Sequence, residues 1–268
     1  MKIDLKYSLE SHLPSLFKLT DETFNWNDLN KNFEKYVLKH KRIIISQDDI
    51  EGLFIVRNLY TTIAGKIDGN EQDIVLCSYI DLLLDDLSQK LDSNGKKQIQ
   101  KTLFDLLLFE GFSDYFGELS VLNKFIGSGK YKLLETEVQN GNKGKGYNKR
   151  KGIDFKLIDL EEGREINVEV INIKIQDKHI KSNDEIGRFL LRKFEDKIQD
   201  KDRSGLEYFL IPVIWYEKVE ILKKLKKFYD DTSFEIDNIL VPFAYTQTAN
   251  FNIRFSSIQY KFPDVSDL

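Results

Sequence analysis

Apolar residues recur at helical spacing through most of the first 126 positions. Ile50, Leu53, Phe54, Val56, Leu59 and Tyr60 fall on one face behind Asp48 and Asp49, which predicts a helix with acids in its first turn. Asp73 opens a second helix through Leu76, Ile80, Leu83, Leu84 and Leu87, and Ser93-Asn94-Gly95 is expected to break it. Ile99, Leu103, Leu106, Leu107 and Phe109 mark a third, ended by Gly111, and Tyr115 to Ile126 a fourth. No proline lies between Pro14 and Pro212, which suits a helical first half. Residues 1–46 predict only short helices, separated by a mostly polar stretch from Asn25 to Asn32.

The period changes after Gly127-Ser128-Gly129. Tyr131 to Val138, Ile153 to Leu160 and Glu165 to Ile175 predict three strands in a meander. Glu161-Glu162-Gly163-Arg164 turns the second into the third, and residues 139–152 form a long loop between the first two. Asp184 to Ile198 predicts a helix, Tyr208 to Trp215 a buried strand, and Val219 to Tyr229 a Lys-rich amphipathic helix. Pro212 fits an edge or a bulge better than a central strand. Ile239 to Phe243 and Phe251 to Phe255 predict closing strands. The fold class that follows is α/β (α+β): a helical region over residues 1–112, then a mixed sheet flanked by helices over 113–268.

Composition adds limits. At 268 residues the chain can bury a substantial core, and 12% aromatics argue against disorder. A single cysteine, Cys77, excludes an intrachain disulfide; set among Ile74, Val75 and Leu76, it is expected to be a buried small hydrophobe. The charged start and the lack of a long apolar run predict a cytoplasmic protein without a membrane segment. The net charge of -4 argues against a general nucleic-acid coating protein but not against an enzyme with a local basic patch. Such a patch lies in the long loop, where Lys143, Lys145, Lys149, Arg150 and Lys151 stand among glycines, asparagines and Tyr147 with no acid between them. The basic side chains would meet phosphates and Tyr147 would stack on a base or sugar. The Lys-rich face of the helix from Val219 is expected to be solvated, and so is the acidic face Asp81, Asp85 and Asp86. The three histidines lack zinc-ligand spacing.

Two acids stand out on the meander. Asp154 lies in Gly152-Ile153-Asp154-Phe155, and Glu169 in Ile166-Asn167-Val168-Glu169-Val170, an apolar run in which a carboxylate is costly to bury without a partner. Both could instead be solvent-facing strand residues. With Glu118 on the preceding helix, their order resembles the PD-(D/E)XK nuclease superfamily: helix-Glu, hairpin, Asp on the second strand, Glu on the third, then a helix and a further strand. The resemblance covers roughly residues 111–216. It implies a restriction-endonuclease-like sheet and metal-dependent hydrolysis of DNA, as in restriction or genome defence. It further implies Mg2+ (or Mn2+) held by Asp154, Glu169 and the Val170 carbonyl, with Glu118 assisting through a metal-bound water. Hard divalent cations take carboxylate oxygens and keep waters, and phosphodiester cleavage needs the activated water they supply.

The chain departs from the family pattern at one place. The motif lysine, two residues after Glu169, is Ile171. Lys174 falls on the opposite strand face. Lys156 shares a face with Asp154 and is the first candidate to replace it; Lys193 or Lys197 of the following helix are the others, a migration the superfamily shows. The partner expected is DNA, with RNA the alternative, and either a homodimer or a defence-system partner protein, for which the helical region would serve recognition or docking. The competing reading is a nuclease-like nucleic-acid-binding or protein-assembly module without catalysis.

Overall fold

A computed structural model describes residues 5–40, 59–108, 112–138, 153–198, 208–216 and 219–231, with short strands at 235–236, 239–240, 244–245, 248–249, 252–253 and 259–260. It bears out the α/β class: helices come first, and a mixed sheet flanked by helices follows. The chain packs as two units, Met1–Asn123 with Phe251–Phe255, and Lys124–Asn250 with Ser256–Leu268. The first division between them falls inside the helix Phe112–Gly127. Among the described residues, no helix is long and apolar enough to cross a membrane.

The helical unit contains α1 (Leu5–His12), a 3-10 turn (Pro14–Lys18), α2 (Trp26–His40), α3 (Leu59–Ile67), α4 (Glu71–Lys90), α5 (Ser93–Gln98), α6 (Gln100–Leu106) and most of α7 (Phe112–Gly127). Its core is leucine-rich, with Leu9, Leu13, Leu16, Leu84, Leu87 and Leu103 fully buried. The helix expected over Ile50–Tyr60 lies almost wholly outside the described residues; α3 begins at Leu59. Two expectations are corrected. The polar stretch from Trp26 to Asn32 belongs to α2, because Trp26, Leu29 and Phe33 supply an inward stripe at helical spacing; Trp26 stacks on Phe17 with centroids 5.3 Å apart, and Phe33 meets Tyr60 edge-on. Ser93-Asn94-Gly95 starts a helix rather than only ending one, since the Asp92 carboxylate accepts from the Gly95 N–H at 2.7 Å as an N-cap.

Acids on α4 pair with neighbouring segments of this unit. The Asp81 carboxylate accepts from the Ser15 N–H at 2.8 Å, and Asp85 pairs with Lys18 at 2.5 Å. Asp86 pairs with Lys90 at 2.5 Å and accepts from Asn123 at 2.8 Å. The acidic face is therefore partly engaged rather than simply solvated. Gly65 is a place where only glycine fits, because a Cβ there would lie 1.9 Å from the buried Asp73 carboxylate. Cys77 is fully buried, and burial pushes its thiol up to about 11, as expected of an inert core cysteine.

The sheet unit is built on β1 (Tyr131–Val138), β2 (Ile153–Asp159), β3 (Glu165–Ile175) and β4 (Tyr208–Tyr216). β1, β2 and β3 run antiparallel in sequence, and β4 joins β3 in parallel. Two-residue strands at Ala244–Tyr245 and Gln259–Tyr260 extend the sheet beyond β4. The expected strands at 239–243 and 251–255 are seen only as Ile239–Leu240 and Asn252–Ile253; the rest lies outside the described residues. Pro212 sits in β4 opposite Ile171 of β3, and among the described residues the far side of that strand pairs at Val213 and Ile214. A 3-10 turn (Asp177–His179) and α8 (Asn183–Ile198) make the crossover from β3 to β4, and α9 (Val219–Asp231) follows with Ile221, Leu225 and Phe228 buried and Lys223, Lys224 and Lys227 exposed.

Candidate functional site

The hairpin between β2 and β3 fixes where the two meander acids meet. Asp159 is buried at the end of β2, and its Oδ1 accepts from the N–H groups of Glu161 (2.9 Å) and Glu162 (3.1 Å). Gly163 completes the turn at φ +68°, a conformation that other residues rarely adopt. The Lys130 ammonium lies 3.5 Å from both Asp159 Oδ2 and Glu161 Oε2. Burial raises the Asp159 carboxyl, but the Glu162 and Glu161 N–H groups, with Lys130, outweigh it and hold the group below the ordinary carboxylate range.

That turn sets Ile158 against Glu165, Lys156 against Asn167 and Phe155 against Val168. One further step in the same register puts Asp154 opposite Glu169. The main-chain ladder stops there, and the Val170 N–H donates instead to Asp154 Oδ2 at 2.7 Å. Asp154 is therefore aimed by the backbone of the neighbouring strand. Glu169 is fully buried.

The third member comes from α8. After β3 ends at Ile175 the chain reverses, and α8 runs back along the sheet with Ile186 and Leu190 buried. From Asn183 to Lys197 the helix covers roughly 21 Å at about 1.5 Å per residue. From Ile175 back to Glu169, β3 covers about 20 Å at about 3.3 Å per residue. The matched lengths bring Lys197 level with Glu169. Its ammonium donates to Asp154 Oδ2 at 2.9 Å and lies 3.3 Å from Glu169 Oε2. One lysine thus bridges two carboxylates on adjacent strands.

The other sequence candidates fall elsewhere. The Lys156 ammonium pairs with Glu165 Oε2 at 3.3 Å, so the lysine on the two carboxylates is Lys197 and not the first candidate, Lys156. The reason is register: Lys156 is two positions nearer the turn than Asp154, where Glu165 is the acid it meets. Ile171 is buried, and Lys193 sits 5.9 Å over the Phe189 ring, which stacks on His179 at 4.0 Å. Glu118 is half-buried on α7, within the helical unit. The loop residues Lys143, Lys145, Tyr147, Lys149, Arg150 and Lys151 lie outside the described residues. Asp159 escaped the sequence reading, although an Asp two residues before Glu161-Glu162-Gly163 carries the signature of a side-chain-capped turn.

Among the described residues, no group of three or more His, Cys, Asp or Glu side chains is placed to hold a metal. The Asp154–Glu169 pair still suits Mg2+ or Mn2+, since Mg2+ is usually held through one or two carboxylates and keeps several waters.

No family model matches the chain, and no curated protein matches it. Among solved structures it is similar to SfsA of Pyrococcus furiosus in complex with Ca2+, at 10% identity and a TM-score of 0.26. The match covers 57% of this chain and 64% of that one, under two thirds of its length.

Proposed function

We propose that the protein is a Mg2+- or Mn2+-dependent endonuclease that hydrolyses phosphodiester bonds of DNA, in the service of restriction or genome defence. The observation that carries this reading is the meeting of Asp154, Glu169 and Lys197: a half-buried and a fully buried carboxylate with one ammonium at 2.9 and 3.3 Å. The order of elements supports it too: an antiparallel meander, a helical crossover and a parallel fourth strand follow the plan of the PD-(D/E)XK superfamily.

Asp154 and Glu169 would hold the cation, with the Val170 carbonyl as a further oxygen. A bound Mg2+ supplies Lewis-acid polarisation of the phosphate and lowers the pKa of a water. The Val170 N–H keeps the Asp154 carboxylate aimed, so that oxygen donors are preorganised on rigid strands. Lys197 supplies the positive charge that Ile171 cannot, and it stabilises charge on the phosphate. The basic segment from Lys143 to Lys151 would track the nucleic-acid backbone.

The test is cleavage of plasmid DNA, linear duplex and RNA by the purified chain in Mg2+, Mn2+ or EDTA. Metal-dependent cleavage of DNA is expected, falling to background in Asp154→Ala and in Glu169→Ala. Undiminished cleavage by either variant sinks the site. Loss on Lys156→Ala with retention on Lys197→Ala would return the lysine role to Lys156.

One observation favours a second reading, a nucleic-acid-binding or assembly module without catalysis: the Lys197 ammonium already compensates the carboxylates. Binding that weakens steeply with salt, and no cleavage in any metal, would decide for it.

A further inference from the structure

We infer that Lys197 is an exchangeable counter-ion, which holds the carboxylates in the absence of metal and competes with a divalent cation for them. This rests on the metal-site reading of Asp154 and Glu169, and adds that the chain carries its own competitor for the site.

Three features support the exchange. The ammonium engages one oxygen of each acid, Asp154 Oδ2 and Glu169 Oε2, and these belong to the donor set a hard cation would need. The carboxylates are carried on strands, and Asp154 is also held by the Val170 N–H, a contact independent of Lys197. Lys197 sits near the C-terminal end of α8 and is half-buried, on a flexible four-carbon stem. The side chain can swing to solvent with no backbone movement, whereas the acids cannot leave. An ionised Glu169, fully buried beside Asp154, is stabilised by a neighbouring cation, and either an ammonium or a metal can supply it.

The consequence is a site whose metal affinity is held down by its own lysine. Mn2+ binding by calorimetry and melting temperature, with and without Mn2+, test this on the full chain as wild type, Lys197→Met and Lys197→Arg. Lys197→Met is expected to melt lower than wild type in EDTA and to recover in Mn2+. It should bind Mn2+ on the order of tenfold more tightly or better, because a like charge in contact with the site is gone. Lys197→Arg keeps the charge and should stay near wild type. Mn2+ affinity in Lys197→Met equal to or below wild type overturns the exchange. A gain that survives in the double variant with Asp154→Ala also overturns it. Should Lys197→Met fail to fold in EDTA, refolding with Mn2+ is expected to recover it, and no recovery overturns the exchange.

These readouts separate the two proposals. Tighter Mn2+ binding by Lys197→Met in a protein that never cleaves keeps the exchange and removes the nuclease. Metal-dependent wild-type cleavage with unchanged affinity in Lys197→Met removes the exchange alone.

Discussion

Asp85 in the helical unit and Asp154 in the sheet unit both meet a lysine, in settings of opposite consequence. Lys18 and Asp85 pair with their side chains 58% and 30% exposed, so water and salt screen them and either charge stands without the other. Lys197, Asp154 and Glu169 are 20%, 14% and 0% exposed, on a sheet whose Val168, Val170, Ile171 and Ile173 are buried. There each charge needs its partners. In the helical unit Asp85 fastens one surface segment to another. The sheet unit sets two acids and one base where apolar residues of similar volume would pack more cheaply.

The contrast can be broken at either end. The largest effect on stability is expected at Lys197: Lys197→Met should cost about 3–5 kcal/mol in metal-free denaturant unfolding, since it removes one partner of a buried charge cluster. A cost as small as that of a surface pair would erase the distinction between the units.

Asp159 should show an intermediate effect, visible in acid. Its folded carboxyl lies below the ordinary range, so the folded state takes up that proton less readily than the unfolded chain. The stability it contributes is fully present above the unfolded value of about 4, and is lost as pH falls from there through the folded value. Asp159→Asn should be less stable than wild type at neutral pH, and the difference should narrow below about pH 4. A difference that does not change with pH would mean that the carboxylate charge plays no part in the turn.

Lys90 marks the small end. It pairs with Asp86 at 2.5 Å across one turn of α4, with the two side chains 30% and 32% exposed. Lys90→Ala should cost only about 0.3–0.5 kcal/mol, and a loss near that of Lys197→Met would contradict the comparison.

Much of the sheet unit was legible because strand signals are local. Tyr131–Val138 and Glu165–Ile175 have the bounds their apolar patterns predict. A four-residue turn between β2 and β3 places the two meander acids on facing strands. The lysine was harder. Lys156 is two residues from Asp154 in sequence and on its face, but its position along the register gives it to Glu165. Lys197 reaches the site only because α8 and β3 match in length, a tertiary relation that narrowed the choice to a helix without singling out one residue. In the helical unit the polar start of α2 concealed its three inward residues, and Asp92 acted as a cap ahead of a triplet that looks like a break.

The central claim is that Asp154 and Glu169 form a metal site which Lys197 otherwise fills. A crystal of the wild-type chain soaked in Mn2+, measured by anomalous scattering, tests it directly. The account predicts a Mn2+ peak coordinated by both carboxylates, with the Lys197 ammonium moved off them. Lys197 still bridging both acids at saturating Mn2+, with the anomalous signal elsewhere, would contradict it.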